Sequence, residues 1–163
     1  MNIILRPPDV AGPLRIGATG QDTWDTLRRF GDPLVLCGVA GRRPGCGVDR
    51  PSGLFIGAYF DVHDRVEAIE FGRPRDNTED AVTYNGLDVF TTPVADLVAQ
   101  LRRHIAIEEE DDEDGHTVTA PDLLLSLWRP PTAETPDNKD GRFFQSVRLA
   151  RHSYYDQAAD DHQ

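Results

Sequence analysis

The chain has 163 residues, of which 39% are hydrophobic, and a formal net charge of −11. This length fits one ordinary domain or two small lobes that share a core. Because an acidic chain repels phosphate groups, we expect neither nucleic acid nor an anionic membrane as a partner. No apolar run approaches the roughly 20 residues of a membrane helix, and the first eight residues are too short and uncharged for a signal peptide. The sequence therefore predicts a soluble, cytoplasmic protein.

The negative charge is concentrated in the second half of the chain. Residues 1–75 carry ten arginines and nine acids, whereas residues 108–163 carry fourteen acids and five basic residues, a net charge of −9. Such a one-sided field steers a basic protein partner toward the acidic half. The predicted partner-binding residues are the acids of this half: Glu108, Glu109, Glu110, Asp111, Asp112, Glu113, Asp114, Asp137 and Asp140.

The first elements are short. Residues 2–17 predict two short strands around a loop, although proline is dense there. Thr19 is the predicted N-cap of a helix, with Asp22 where a capping box places an acid. The apolar face of this helix repeats at intervals of three residues: Trp24, Leu27 and Phe30. Residues 38–53 hold five glycines and two prolines and predict an exposed loop without regular structure.

The central feature of the sequence is a predicted hairpin over residues 53–72. Apolar residues alternate along its first strand with the two-residue period of a half-buried strand. Residues 61–65 supply a polar turn, since aspartate side chains accept hydrogen bonds from nearby backbone. The pair Ala68-Ile69 breaks the alternation of the return strand and predicts a bulge. The alternating residues of the first strand are Leu54, Ile56, Ala58 and Phe60.

The second half repeats this order of elements. Asn85-Gly86 predicts a tight two-residue hairpin turn, and Thr92-Pro93 opens a helix as N-cap and first helical residue. The seven acids from Glu108 to Asp114 predict a solvated loop. Residues 122–128 and 143–149 predict a second long hairpin, and residues 154–163 a loose tail. The second helix has one apolar stripe: Val94, Leu97, Val98, Leu101 and Ile105.

The two halves correspond to one another. Both read as short hairpin, helix, variable loop and long antiparallel hairpin, which gene duplication produces. Residues 54–59 match residues 123–128, and the return strands match in the order Val66, Ile69 and Phe71 with Phe144, Val147 and Leu149. We therefore predict an α+β fold of two tandem repeats, residues 1–78 and 79–163, each an antiparallel sheet with one packed helix.

The first repeat carries a recognisable motif over residues 14–33, in which a Gly-x-Thr segment and a helix are followed by Gly-x-Pro. This motif resembles the BamE/SmpA-like repeat module, which occurs in tandem in β-lactamase-inhibitor proteins and recurs in small bacterial proteins of the toxin-immunity type. Members of that family act by binding other proteins and lack catalysis, so the resemblance implies a binding module. The matching residues are Gly17, Thr19, Leu27, Gly31 and Pro33.

Candidate chemistry is sparse. Asp61, His63 and Asp64 cluster in the predicted turn, and we interpret them as turn residues rather than metal ligands. The acidic run begins like a calcium loop but has Pro121 where the bidentate glutamate should be. Cys37 and Cys46 lack metal or redox spacing, and we expect both to be reduced, with Cys37 in the core. We expect no cofactor, metal or disulfide.

The histidines and the carboxylate pair offer little more. We expect the histidines to lie in turns, helix ends or tails, at positions 63, 104, 116, 152 and 162. Glu67 and Glu70 form a possible general acid–base pair, but strand residues three apart point to opposite faces unless a bulge intervenes. No catalytic triad is recognisable.

Two functional hypotheses follow. The first is a non-catalytic, acidic protein-binding module, such as an intracellular immunity or inhibitor protein. The second is a small-ligand or metal-binding protein, or an enzyme, that uses the groove between the repeats and the turn at residues 61–64.

Overall fold

The computed structural model describes residues 1–36, 44–76, 78–131 and 141–155. In these ranges the chain forms two β-sheets, two α-helices and a 3-10 helix at Pro121–Leu123. The fold is therefore α+β and mostly β. One cluster of buried apolar side chains takes members from both sheets and both helices, so the described elements share a single core.

The small sheet has five strands in the order β3-β2-β1-β8-β9. β1 and β8 run parallel, and the other neighbours are antiparallel. β8 and β9 form the predicted tight hairpin, with positive φ at both Asn85 and Gly86. The strands are β1 Asn2–Arg6, β2 Val10–Ala11, β3 Leu14–Arg15, β8 Ala81–Tyr84 and β9 Leu87–Asp88.

The large sheet has eight antiparallel strands in the order β10-β11-β12-β13-β7-β6-β5-β4. Each half of the chain contributes four consecutive strands, and the last strand of each half meets the other at the centre. The first half supplies β4 Leu34–Leu36, β5 Gly45–Asp49, β6 Phe55–Phe60 and β7 Val66–Gly72. The second supplies β10 Glu108–Asp112, β11 Gly115–Ala120, β12 Leu125–Arg129 and β13 Ser146–Ala150.

Both predicted helices are confirmed. In α1 (Gly20–Leu27) the Oγ1 of Thr19 accepts a hydrogen bond from the backbone N–H of Asp22 at 3.1 Å, as the N-cap prediction requires. α2 (Val94–Arg102) begins one residue later than predicted, because Pro93 is its N-cap. Pro93 has no side-chain donor or acceptor, and no side-chain hydrogen bond caps this helix. Four residues of the predicted stripe are buried: Val94, Leu97, Val98 and Leu101.

The central hairpin is confirmed as β6 and β7. Oδ1 of Asp61 accepts from the backbone N–H of His63 at 2.8 Å and of Arg65 at 3.0 Å, so this aspartate closes the turn as predicted. The bulge lies one position before the predicted one. Tyr59 pairs with Ala68 and Phe60 with Val66, which leaves Glu67 as the extra residue.

The prediction of an irregular loop over residues 38–53 is wrong at its second half. Residues 45–48 are buried within β5, and residues 37–43, with Cys37, lie outside the described ranges. A Cβ atom on Gly45 would lie 2.3 Å from the carbonyl oxygen of Ala58, and one on Gly47 would lie 2.9 Å from the ring of Phe55. These glycines permit close approach within a strand, which composition alone does not distinguish from a loop.

The prediction of a solvated loop over Glu108–Asp114 is also wrong in its conformation. The first five acids form β10, an edge strand paired with β11, and every residue of it is exposed. Charged side chains tolerate such a strand because both they and its outer edge stay in water. Charges along an edge strand also prevent unwanted pairing between sheets.

Asp80 joins the two sheets through a buried ionic contact. Its Oδ2 accepts from Nε of Arg50 at 2.7 Å and from the hydroxyl of Ser52 at 2.6 Å, and the N-terminal amino group lies 3.2 Å from Oδ1. The hydrogen bond from Arg50, together with those from Ser52 and the N-terminal amino group and with the charge of Arg50, lowers the pKa of Asp80 from 3.8 to about 2, against the opposing effect of burial.

We expect Asp80→Asn to lower the free energy of unfolding by about 2 kcal/mol at neutral pH, since each pKa unit corresponds to about 1.4 kcal/mol. A lowered carboxyl pKa stabilises the fold above the unfolded pKa, and the effect is lost as the pH falls from 3.8 toward 2. Urea unfolding at several pH values measures this. The exposed control Asp9→Asn should change stability by less than about 0.5 kcal/mol. If the difference in unfolding free energy between the wild type and D80N stayed constant down to about pH 2, the lowered pKa of Asp80 would be contradicted.

Candidate functional site

One face of the large sheet points away from the core, and strand alternation decides which side chains it carries. In β12 Leu125 and Leu127 are buried, whereas Ser126 and Trp128 point the other way. The same alternation in the neighbouring strands extends this surface, which we call the outer face. It consists of Phe55, Tyr59, Glu70, Glu108, Glu110, Asp112, Thr117, Thr119, Ser126, Trp128, Ser146 and Arg148.

A cleft of about 510 Å³ opens on this surface. We call it the outer cleft. Trp128 and Tyr155 stand at its rim, with 36% and 43% of their surfaces exposed. Its other lining residues are polar: Glu70, Thr117, Ser126, Ser146 and Arg148. The aromatic rings offer apolar contact area, and the polar groups can fix the orientation of a bound group.

A cross-strand ion pair forms part of the cleft floor. Nη2 of Arg148 on β13 donates to Oε2 of Glu70 on β7 at 2.8 Å. The ring of Tyr154 covers the guanidinium, whose carbon lies 5.1 Å from the ring centroid. Burial lowers the pKa of Arg148, but the charge and hydrogen bond of Glu70, together with the neighbouring Tyr154 and Tyr155, outweigh burial and raise the pKa above its ordinary value. Arg148 is therefore a permanently charged part of the floor that Glu70 pairs through Nη2, while its buried Nε has no hydrogen-bond partner among the described residues.

The turn between β10 and β11 holds the indole of Trp128. Its Nε1–H donates to the carbonyl oxygen of Asp114 at 3.2 Å. Gly115 has φ of +132°, and a Cβ atom there would lie 2.5 Å from the indole nitrogen. A residue with a side chain would displace the ring, so glycine is required for this arrangement. The acidic hairpin thus fixes the orientation of the exposed aromatic residue.

The predicted partner-binding acids divide between two sides of β10. Glu108 and Glu110 pair with Thr119 and Thr117 in register, so they lie on the outer face with Asp112. Glu113 and Asp114 follow in the exposed turn. Asp137 and Asp140 lie outside the described residues. The structure thus places three of the predicted acids on the outer face.

The other side of β10 is structural. Glu109 contacts Arg102 of α2, and its Oε1 lies 3.0 Å from Nε2 of His116. Nε of Arg129 donates to Nδ1 of the same imidazole at 3.0 Å. Since Nδ1 accepts, the ring proton sits on Nε2 and points at Glu109. This network fastens the acidic strand to α2 and to β12.

Sequence analysis missed His116, which is not in a turn but buried in β11. The alternation of Thr117 and Thr119 with Val118 and Ala120 was the available signal for a strand starting there. The acids that precede His116 suggested instead that the loop continues past this residue. Glu70 and Arg148 were missed as a pair because 78 residues separate them.

The other candidates do not converge on a reactive centre. In the described part of the chain, no three histidine, cysteine or acidic side chains are grouped so that they could hold a metal ion. Burial, with the charge of Asp64, raises the pKa of Cys46 to about 11, so this thiol is protonated and a poor nucleophile. Glu67 is buried at the bulge and accepts from the hydroxyl of Ser153 at 2.6 Å.

Of the predicted tail, Tyr154 and Tyr155 are described. They lie in a helical turn at residues 152–155. Tyr154 packs near Tyr59, with ring centroids 6.0 Å apart, and Tyr155 meets it edge-on at 5.4 Å. These two residues belong to the outer face side of the sheet rather than to a loose tail.

No family model, curated protein or solved structure matches this chain. Among the helices that the structure describes, none combines the length and the apolar character needed to traverse a bilayer.

The two sides of β10 should respond differently to truncation. We expect Glu109→Ala to lower the free energy of unfolding by about 1 kcal/mol, because it removes partly screened contacts to Arg102 and His116. Glu110→Ala on the same strand should cost less than about 0.5 kcal/mol. If chemical denaturation gave equal losses of unfolding free energy for the two variants, the contacts of Glu109 would contribute nothing to stability.

Proposed function

We propose that this chain is a non-catalytic protein-binding module whose outer face docks a basic protein. The observation that carries the proposal is the position of β10: its exposed acids Glu108 and Glu110 share the outer face with a cleft that is lined by the exposed Trp128. Partly exposed aromatic residues surrounded by charged groups are typical of protein interfaces.

Charge complementarity defines the chemistry of the partner. The outer-face acids Glu108, Glu110 and Asp112 carry no ion pair with a described residue, whereas Arg148 on the same face is paired with Glu70. Among the described residues, the unneutralised charge on this side is therefore negative. It attracts basic protein surfaces and repels the phosphates of nucleic acids and anionic lipids. We propose the cytoplasm as the compartment, in keeping with the free thiol of Cys46, since disulfides are rare there.

We also propose that the fold arose from two tandem repeats, residues 1–78 and 79–163. In support, each half places one helix before four antiparallel strands of the large sheet. The matched residues Ile69 and Val147 are 78 positions apart, as are Phe71 and Leu149. With this spacing, a two-fold relation between the halves makes Glu70 and Arg148 equivalent, and they pair directly at the centre.

An immunity or inhibitor role is the most specific form of the proposal. It rests on the resemblance of residues 14–33 to the BamE/SmpA-like module and on the broad outer face. Inhibitors of this kind need surface complementarity and no catalytic group.

Affinity capture from lysate, followed by kinetics with the captured protein, tests the proposal. We expect a basic partner whose association rate falls as salt shortens the Debye length below about 10 Å. The variant Glu108→Gln/Glu110→Gln/Asp112→Asn should lower that rate about three- to tenfold.

The matched control is Asp9→Asn/Asp32→Asn/Glu79→Gln, which removes the same charge from exposed positions elsewhere. It should leave the association rate within about twofold of the wild type. Acidic partners, an association rate that ignores salt, or equal effects of the two triple variants would contradict the proposal.

A further inference from the structure

We infer that the outer cleft receives an arginine side chain of the docked protein. This inference deepens the proposed function and rests on it. The partner inserts a guanidinium group, and the residues that line the outer cleft select it.

The aromatic rim favours a planar cation. Trp128 and Tyr155 are the exposed aromatic side chains that line the cleft. The faces of indole and phenol rings attract cations, and tryptophan does so most strongly. A guanidinium group also stacks on such rings through its flat surface, which an ammonium group does not.

The charges around the cleft favour a cation over an anion. Arg148 is the cationic group of the lining, and its Nη2 is engaged by Glu70 at 2.8 Å. Glu110 is exposed and lies opposite Thr117, one of the lining residues, so this acid is on the same face of the sheet as the cleft. An incoming carboxylate would meet this acid, whereas a guanidinium would be attracted by it.

The floor supplies acceptors for the guanidinium. The hydroxyls of Thr117, Ser126 and Ser146 line the cleft, and each hydroxyl oxygen can accept hydrogen bonds. A guanidinium presents five N–H donors in a fixed plane and can satisfy several acceptors at once. Lysine would bring the charge without this planar set of donors.

The cleft is organised before the partner arrives. The hydrogen bond from Trp128 to the carbonyl of Asp114, together with the space left by Gly115, fixes the indole ring. A side chain that is already ordered loses little conformational freedom on binding. The partner therefore gains the full stacking contact.

A titration of the isotope-labelled protein tests this inference directly. The probe is N-acetyl-arginine amide, and the signal is the NMR resonance of the indole Nε1–H of Trp128. The indole of Trp24, which packs against the core, is an internal reference. We expect a saturable shift of the Trp128 signal and none of the Trp24 signal.

Three matched probes separate the possible occupants. The citrulline analogue has the same shape without the charge and should bind at least about fivefold more weakly, as should the lysine analogue. The glutamate analogue should leave the Trp128 signal unchanged. Equal binding of arginine and citrulline, or a response to glutamate instead, would overturn the inference.

The captured partner provides the second arm. Trp128→Leu should lower its affinity at least tenfold, and the native position of the Trp24 signal reports that the variant is folded. If a basic partner binds in a salt-sensitive way but W128L binds it as well as the wild type, the arginine inference is wrong and the proposed function stands. If no basic partner is captured, the proposed function is wrong, whereas the probe titration still decides whether the cleft takes arginine.

Discussion

The pairing of β7 with β13 is the interaction on which the rest of the structure depends. It joins the four strands of each half into one sheet, with Ile69 opposite Leu149 and Phe71 opposite Val147 on the core side. On the outer side the same register brings Glu70 against Arg148. Antiparallel pairs of this kind gain from the burial of one face and the ionic contact on the other. Without this pairing each half would keep a separate four-stranded sheet, and the outer face would be divided between the two sheets.

The outer face takes its chemistry from alternation within that sheet. Apolar residues point into the core and leave small hydroxyls, one ion pair and aromatic rings outside. In the first half, the ring of Phe55 lies over Gly47 and Gly57, where any side chain would collide with it. In the second half, the acidic edge strand and Trp128 shape the cleft. The outer face is therefore apolar at its Phe55 end and acidic at its β10 end, and this difference can fix the orientation of a bound protein.

Features set by neighbouring residues were predictable from the sequence. The turn at Asn85-Gly86, the cap at Thr19 and the Asp61 turn all depend on contacts within a few positions. The exposure of the acidic run was predictable too, because charge alone decides it.

Features set by strand pairing and by packing between strands were not predictable. Gly45 and Gly47 belong to a strand because rings from β6 cover them, and single-sequence composition carries no trace of that packing. β10 is a strand because β11 pairs with it, against the low strand propensity of aspartate and glutamate. His116 is buried because Glu109 and Arg129 satisfy both of its ring nitrogens. In each case tertiary contacts override the local signal.

An NMR map of the complex with the captured partner, based on side-chain signals, tests most directly whether the outer face is the docking surface. We expect the Trp128 indole and the methyl groups of Thr117 and Thr119 to shift or broaden on binding. The methyl groups of Ile4 and Val62, which are exposed elsewhere, should stay unchanged. Perturbations at Ile4 and Val62 with an unaltered outer face would contradict the assignment of the docking surface.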